Sequence, residues 1–172
     1  METIGGGAGG RSYKDGSDGI QVHVTNTSNL PVEALENEYP LLVDRYELIE
    51  DSGGAGKWRG GLGLRRVYRG IDHTLTFSGQ GERAVTAPWG LFGGESGGTA
   101  AISLLSDNGK REALAIKPAS LEVEPGVAVC IETAGAGGYG LATEREIKSL
   151  EDDYKSNKFS KEFMREFYNY EI

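Results

Sequence analysis

The sequence predicts a mainly β protein of the α+β class, with an antiparallel β-sandwich or barrel-like layer followed by two C-terminal helices. Seven or eight short apolar segments, some with alternating apolar and polar residues, are separated by turn sequences such as DNGK and EPG. After Thr143 the apolar residues recur at helical spacing instead. We therefore expect a glycine-rich β domain over residues 1–142 and a helical segment over residues 143–172, packed on that domain or on a partner.

The predicted elements follow one another with little connecting sequence. Residues 1–19 are glycine-rich and predict a loop, and Pro31 can start a short helical turn that contains Val32 and Leu35. The predicted strands cover residues 20–25, 41–49, 62–69, 74–79, 100–105, 112–116, 121–123 and 127–133.

The C-terminal segment carries two helix-start signals. Thr143 and Glu146 form a capping-box pattern, and Ser160 can cap a second helix. The apolar faces consist of Ile147, Leu150 and Tyr154 in the first helix and of Phe163, Phe167 and Tyr170 in the second. Such an aromatic stripe is typical of a core or of a subunit contact.

Composition limits the class of protein. A chain of 172 residues is long enough for one domain with a real core. Its net charge of -8 argues against nucleic acid or an anionic membrane as the main partner. The chain shows neither a signal-peptide pattern nor a long apolar run, so the cytoplasm is the simplest location. Of the 27 glycines, 14 fall between residues 53 and 98, which predicts many tight turns there.

The cysteine and the histidines give no sign of a metal site. Cys130 is the single cysteine, lies in an apolar run, and is expected to be a buried, inert thiol. His23 and His73 lack the ligand spacing of a zinc site, so we expect no metal ligands in this chain. The sequence GGAGKW also lacks the glycine and the Ser or Thr that a P-loop requires.

The region between Ser52 and Ile71 has no acidic residue but several cations. Most of them are expected on a strand face with internal ion pairs. An alternative is an anion site made by exposed glycine N–H groups and a cation, for which Arg59 is the candidate. The cations of this region are Lys57, Arg59, Arg65, Arg66 and Arg69.

Two carboxylates lie close together after Pro31. Glu33 and Glu36 share a face if the turn is helical, where they form either a functional carboxylate pair or a solvated helix start. Spacing alone favours the solvated helix start. His23 and Asn26 lie just before, and His23 is either a titrating base or a hydrogen-bonded structural histidine.

Five motifs in one order resemble the C-terminal part of the hydantoinase B family. They are ETIGGGAGGRSYKDGSDG, HVTNTSNLPVEALE, RYELIEDSGGAGKWRGGLGL, APWGLFGGESGG and TAGAGGYGLAT. The family includes B subunits of ATP-dependent hydantoinases and 5-oxoprolinases and the corresponding subunit of ketone carboxylases. Family chains are several times longer, so the resemblance implies a split-gene subunit or an isolated domain.

The resemblance implies a subunit of an ATP-dependent cyclic amide hydrolase that is inactive alone. ATP and a divalent metal are then expected in partner subunits: a hydantoinase A-type ATP-using subunit and an N-terminal hydantoinase B-type polypeptide, in a homo- or hetero-oligomer. The candidate catalytic residues near the shared cleft are His23, Asn26, Glu33, Glu36 and Asp51.

Two other functions stay open on the sequence. One is a non-catalytic structural or assembly subunit of a ketone carboxylase-type complex. The other is a small-molecule binding domain that works without partner subunits.

Overall fold

The protein folds around two antiparallel sheets. The computed structural model describes residues 1–21 and 27–171. Within that part the larger sheet has five strands in the order β1-β2-β7-β4-β5, and β3 and β6 form a second sheet. This arrangement confirms the mainly β, α+β class. The strands are β1 (Leu41–Leu48), β2 (Leu64–Gly70), β3 (Leu75–Phe77), β4 (Ala101–Ser106), β5 (Arg111–Ala113), β6 (Leu121–Val123) and β7 (Val127–Glu132).

Three α-helices accompany the sheets in the described residues. They are α1 (Val32–Glu38), α2 (Ile147–Lys155) and α3 (Lys161–Tyr168), and a 3₁₀ turn spans Ala142–Glu144. The two longer helices lie after residue 143, as predicted. The predicted strand over residues 20–25 lies mostly outside the described residues, and of it Ile20 forms an isolated bridge with Gly6. No described helix has both the length and the apolar composition needed to cross a membrane.

The large sheet buries a different set of residues on each face. Ile102, Val123 and Val129 form a core in which the two-stranded β3–β6 sheet packs on one face of the large sheet. On the opposite face Val67, Ala128 and Cys130 form a small cluster. Burial raises the pKa of the Cys130 thiol, as expected for an inert side chain.

Four glycine-rich segments, residues 5–10, 53–63, 90–98 and 135–140, stack on one another; we name them the glycine layer. Backbone hydrogen bonds join them, including Gly54 N–H to the carbonyl of Ala136 at 2.8 Å and Leu91 N–H to that of Gly138 at 2.9 Å. A Cβ on Gly60 would lie 1.8 Å from the carbonyl oxygen of Ala136. The layer therefore needs glycine at such positions, because a side chain would prevent the close approach of its backbone segments.

The C-terminal helices pack on this layer. Their buried side chains are joined by Ala55 and Leu62 of the layer in one core cluster. The N–H of Gly56 donates to the Tyr168 hydroxyl at 3.2 Å. The C-terminal members of this cluster are Leu150, Phe159, Met164 and Tyr168, with Phe163, Phe167 and Tyr170 packed at its edge. The aromatic stripe thus contributes to the chain's own core.

The two predicted helix caps have different outcomes. The Ser160 cap is confirmed, because its hydroxyl accepts from the Phe163 N–H at 3.1 Å. The capping box at Thr143 and Glu146 is wrong, since Thr143 lies in the 3₁₀ turn and Glu146, the residue before α2, makes no side-chain cap. Arg145 is extended between them, and its buried ion pairs fix that conformation.

Candidate functional site

A cavity of about 580 Å³ lies between the N-terminal segment, the start of α1 and strands β1 and β2. Its walls include polar residues that precede and follow the segment 22–26, which lies outside the described residues. Lining side chains include Thr3, Gln21, Asn29, Tyr46, Leu64 and Arg66. The cavity is therefore mixed in character, with one cation among its described lining residues.

Arg66 is the cation of this cavity, and it is almost fully buried. Strand alternation in β2 places it on the same face as Leu64 and Tyr68. Its guanidinium lies 4.5 Å from the ring centre of Tyr46 and 5.2 Å from that of Tyr68. Arg66 Nη2 also lies 3.2 Å from Glu2 Oε1. The cation is thus held between two rings and one carboxylate.

The Tyr68 hydroxyl donates to the other oxygen of Glu2. Burial, followed by the hydrogen bond to Glu2, raises the pKa of Tyr68 well above its usual value. The hydroxyl therefore keeps its proton and stays a donor at neutral pH. Glu2, Arg66 and Tyr68 form one polar cluster beside the cavity, which we name the Arg66 cluster.

Hydrogen bonding in the Arg66 cluster is incomplete. Arg66 Nε, Arg66 Nη2 and Glu2 Oε1 are buried without a hydrogen-bond partner among the described residues. Nη2 and Oε1 are close enough for an ion pair but are not aligned for a hydrogen bond. Because an unsatisfied buried charge is costly, such groups are found at sites that take a further polar partner. This deficit makes the cavity the strongest candidate site in the described part of the chain.

Helix α1 begins at this cavity, which Pro31 and Val32 also line. Glu33 is exposed on its first turn, and Glu36 Oε1 accepts from the backbone N–H of Val43 at 2.8 Å. Glu36 therefore fastens the helix to β1, while Glu33 is exposed to solvent. His23 and Asn26 lie outside the described residues.

Asp51 takes part in the docking of α3. It has a φ of 61°, and its carboxylate accepts from the Ser160 N–H at 2.8 Å and from the Ser160 hydroxyl at 2.6 Å. This geometry makes it an anchor between the glycine layer and the start of α3. A catalytic role for Asp51 stays a prediction.

Arg59 lies in a second buried cluster, in which cations and carboxylates alternate. Its Nε donates to Asp153 at 3.0 Å, and its Nη1 and Nη2 donate to Asp18 at 2.7 and 3.1 Å. Arg145 bridges Asp153 and Asp15 in the same way. All these donors are used within the chain, so an external anion would compete with three carboxylates. The anion contact at Arg59 stays a prediction that this geometry does not favour.

The buried network shifts the ionisation of its members. Burial raises the pKa of the Asp18 carboxyl, but hydrogen bonds from Arg59 and from the Leu62 N–H outweigh it and bring the pKa below its usual value. Burial likewise lowers the pKa of Arg59, and the bond to Asp18 reverses that effect. The charged forms of these groups therefore stabilise one another.

The remaining cations of the segment also pair internally. Arg65 contacts Glu47 and Glu132, and Arg69 contacts Asp44 and Asp107. The sequence hypothesis of an ion-paired strand face therefore describes them well. It missed Arg66, which the alternation of residues 64, 66 and 68 would have placed on the face opposite Arg65 and Arg69.

Metal ligands do not cluster in the parts of the chain that the structure describes. No group of three or more His, Cys, Asp or Glu residues there is arranged to hold a metal ion. His73 is half-buried, and one of its ring nitrogens lies 2.7 Å from the carbonyl oxygen of Ile71.

Sequence comparison identifies relatives that are much longer. An uncharacterized protein of Methanocaldococcus jannaschii is 44% identical over 159 residues, which are 92% of this chain and 28% of that protein. The 5-oxoprolinase 1 of Arabidopsis thaliana is 40% identical over 139 residues, or 81% of this chain and 11% of the plant protein. The chain therefore spans less than a third of the length of these relatives.

Structure comparison agrees. The crystal structure of an ATP-dependent caprolactamase from Pseudomonas jessenii superposes with a TM-score of 0.77 at 27% identity, covering 98% of this chain and 30% of that one. The sequence profile described as Hydantoinase B/oxoprolinase matches residues 1–142, which include the cavity, the Arg66 cluster and the whole glycine layer. The chain belongs to the hydantoinase B/oxoprolinase family.

Proposed function

We propose that this chain is the C-terminal subunit or domain of an ATP-dependent cyclic amide hydrolase of the hydantoinase B or 5-oxoprolinase type, and that it is inactive alone. The observation that carries the proposal is the family match over residues 1–142. The ATP-dependent caprolactamase, whose fold this chain shares at a TM-score of 0.77, supports it. Both 5-oxoproline and caprolactam are cyclic amides, which suggests the substrate class.

The reaction divides between subunits in this proposal. A hydantoinase A-type subunit uses ATP to phosphorylate the amide oxygen, which turns a stable amide oxygen into a leaving group. An N-terminal hydantoinase B-type polypeptide supplies the divalent metal. This chain supplies the wall of the cleft formed by the cavity beside α1.

Arg66 is the residue of this chain that we propose as a substrate contact. Its planar guanidinium suits a carbonyl or carboxylate oxygen, and its incomplete hydrogen bonding leaves capacity for one. Glu33 and Glu36 stay candidates because α1 begins at the same cavity, as do His23 and Asn26 by sequence position. Asp51 and Arg59 contribute to positioning through α3 and the buried ion network.

Reconstitution tests the function. The chain, the A-type subunit and the N-terminal B-type polypeptide are purified separately, mixed, and assayed for ADP release and ring-opened product with 5-oxoproline, caprolactam and an N-methylhydantoin. We expect amide-dependent ADP release from the three-component mixture and none from this chain alone. Turnover by this chain alone, or release that needs a ketone and bicarbonate instead of an amide, would contradict the proposal.

A variant pair tests Arg66 in the same assay. Arg66→Lys keeps the charge but removes the planar donor pair, so we expect KM for the amide to rise about tenfold or more. Arg65→Lys changes the neighbouring cation on the other face of β2 and should leave KM unchanged. Equal KM values for the two variants, with both folded by circular dichroism, would remove Arg66 from the site.

A further inference from the structure

The loop between residues 84 and 94 displays large apolar side chains to solvent. This loop contains no charged residue, in a chain with 26% charged residues. Phe92 is 75% exposed and Trp89 is 62% exposed, and Leu91 and Leu141 are each about half exposed. We name these four residues the Phe92 patch. The Gly140 N–H donates to the Leu91 carbonyl at 3.0 Å, which brings Leu141 beside the loop. Exposed apolar side chains grouped in this way mark an interaction site more often than a single exposed residue does.

The backbone of the Phe92 patch is fixed in an unfavourable conformation. Phe92 has a φ of 53°, a region that bulky residues rarely adopt. The strain persists because the backbone on either side is held: the Leu91 N–H donates to the Gly138 carbonyl at 2.9 Å, and the Gly94 N–H, two residues after Phe92, donates to the Leu91 carbonyl at 3.0 Å. The Phe92 ring packs 5.0 Å from that of Tyr139. Strain held by such over-determined contacts is typical of functional segments.

The Phe92 patch therefore combines two properties of an interface anchor. Aromatic side chains are enriched at the centres of interfaces, and a pre-formed loop loses little entropy when it binds. The patch also differs from the cavity and from the ion network, because its side chains are apolar apart from the indole N–H of Trp89. The Arg83 guanidinium lies 5.1 Å from the centre of that indole and borders the patch on one side. Its chemistry fits an apolar protein surface.

We propose that the Phe92 patch is the surface on which the N-terminal hydantoinase B-type polypeptide docks. The occupant follows from the comparisons, because this chain covers 30% of the caprolactamase chain, and the other 70% of that chain has no counterpart here. A body of that size must contact the shared domain, and an apolar patch displayed by a strained backbone is suited to a permanent contact. The inference rests on the proposed function and adds the surface that assembles it.

Phe92→Gly separates binding from folding. Glycine adopts a positive φ without strain, so the variant should melt at the same temperature as the unchanged chain or higher. Its affinity for the N-terminal B-type polypeptide, measured by biolayer interferometry, should fall about tenfold or more. Tyr13→Ser is the matched control, since Tyr13 is an exposed aromatic residue on another loop, and it should bind as the unchanged chain does.

The possible outcomes separate a failure of the proposed docking surface from a failure of the proposed function. If Phe92→Gly and the unchanged chain bind the N-terminal B-type polypeptide with equal affinity, the proposed docking surface is wrong. It is also wrong if the unchanged chain does not bind that polypeptide. Dimerisation of this chain alone that Phe92→Gly abolishes also overturns it, because the occupant is then a second copy. A complex that forms through the patch but shows no amide-dependent ADP release leaves the patch standing and contradicts the proposed function.

Discussion

Arg59, Arg145 and Asp153 are each less than a tenth exposed, yet all three are charged groups. Burial of a lone charge is prohibitive, so such groups survive only when each has opposite partners within hydrogen-bond distance. Here two arginines share one aspartate, and each has a second carboxylate of its own. The network joins residues 15–18, the glycine layer and α2. It therefore fixes how the C-terminal helices sit on the layer.

Asp18→Asn should destabilise the chain by about 2–3 kcal/mol at pH 7, because it leaves Arg59 with one carboxylate fewer. The folded pKa of Asp18 lies below its unfolded value of about 3.9, so its contribution is complete above that pH and is lost as pH falls through the folded pKa. Urea unfolding at pH 7 and near pH 3 should show the difference between variant and unchanged chain shrinking at low pH.

Asp44→Asn is the control for that experiment. Asp44 pairs with Arg69 in a more exposed ion pair, whose loss should cost less than about 1 kcal/mol. If Asp44→Asn lost as much unfolding free energy as Asp18→Asn, the buried ion pairs would contribute no more to stability than this more exposed pair.

Single residues were predictable only where a local pattern decides their environment. Cys130 is buried as its apolar run predicts. Arg66 was grouped with the cations of an ion-paired strand face and Arg59 was the candidate for an anion contact, but Arg59 pairs with Asp153, 94 residues away in sequence, and Arg66 pairs with Glu2. Partners that distant cannot be read from local spacing.

At the scale of elements, α3 shows how a short helix is held at both ends. Ser160 caps its first turn and is itself bonded by Asp51, and Asn169 ends it in the left-handed conformation. Eight residues are too few for a stable helix in isolation, so these caps and the aromatic core decide its stability.

Ser160→Ala should therefore lower the free energy of unfolding by about 1–2 kcal/mol, because it removes the cap and leaves Asp51 without its hydroxyl donor. Ser156→Ala is the matched control at the exposed end of α2, where the hydroxyl bonds only to backbone carbonyls of its own helix. It should cost less than about 0.5 kcal/mol in the same thermal and urea melts. Equal losses in the two variants would argue against the cap.

Elements with a strong local pattern were predictable, and weak ones were shortened. β2, β4 and β7 match their predicted segments closely, since apolar residues recur on their buried faces. The predicted segment 74–79 is reduced to β3, and Arg111–Ala113 replaces the predicted strand over residues 112–116. The length of such a short strand depends on the neighbouring strand with which it pairs. That neighbour cannot be identified from the sequence of the short strand itself.

The whole molecule depends on the glycine layer, in which peptide groups of four segments lie in contact. Gly60→Ala would place a methyl group 1.8 Å from the Ala136 carbonyl oxygen and 2.5 Å from the Ala136 carbonyl carbon. We expect this variant to fail to fold, which solubility and circular dichroism would reveal. At Gly9 the nearest atom would be 4.0 Å away, so Gly9→Ala should fold with nearly unchanged stability. A well-folded Gly60→Ala would contradict the tight packing.

The layer itself could not be predicted, although its glycines were prominent. The sequence indicated tight turns between residues 53 and 98, but in the structure most of these glycines serve close approach between chain segments. That role requires knowledge of which segments meet, which no local rule supplies.

The reach of the glycine layer along the chain has a consequence for folding speed. Its hydrogen bonds join Gly7 to Ala134 and Gly54 to Ala136, so the layer cannot close until nearly all of the first 140 residues are collected. Contacts of such sequence separation carry a large loop-closure entropy, and proteins dominated by them fold slowly. Assembly of the layer is then a late event on the ribosome, and the aromatic helices have no surface to dock on before it is complete.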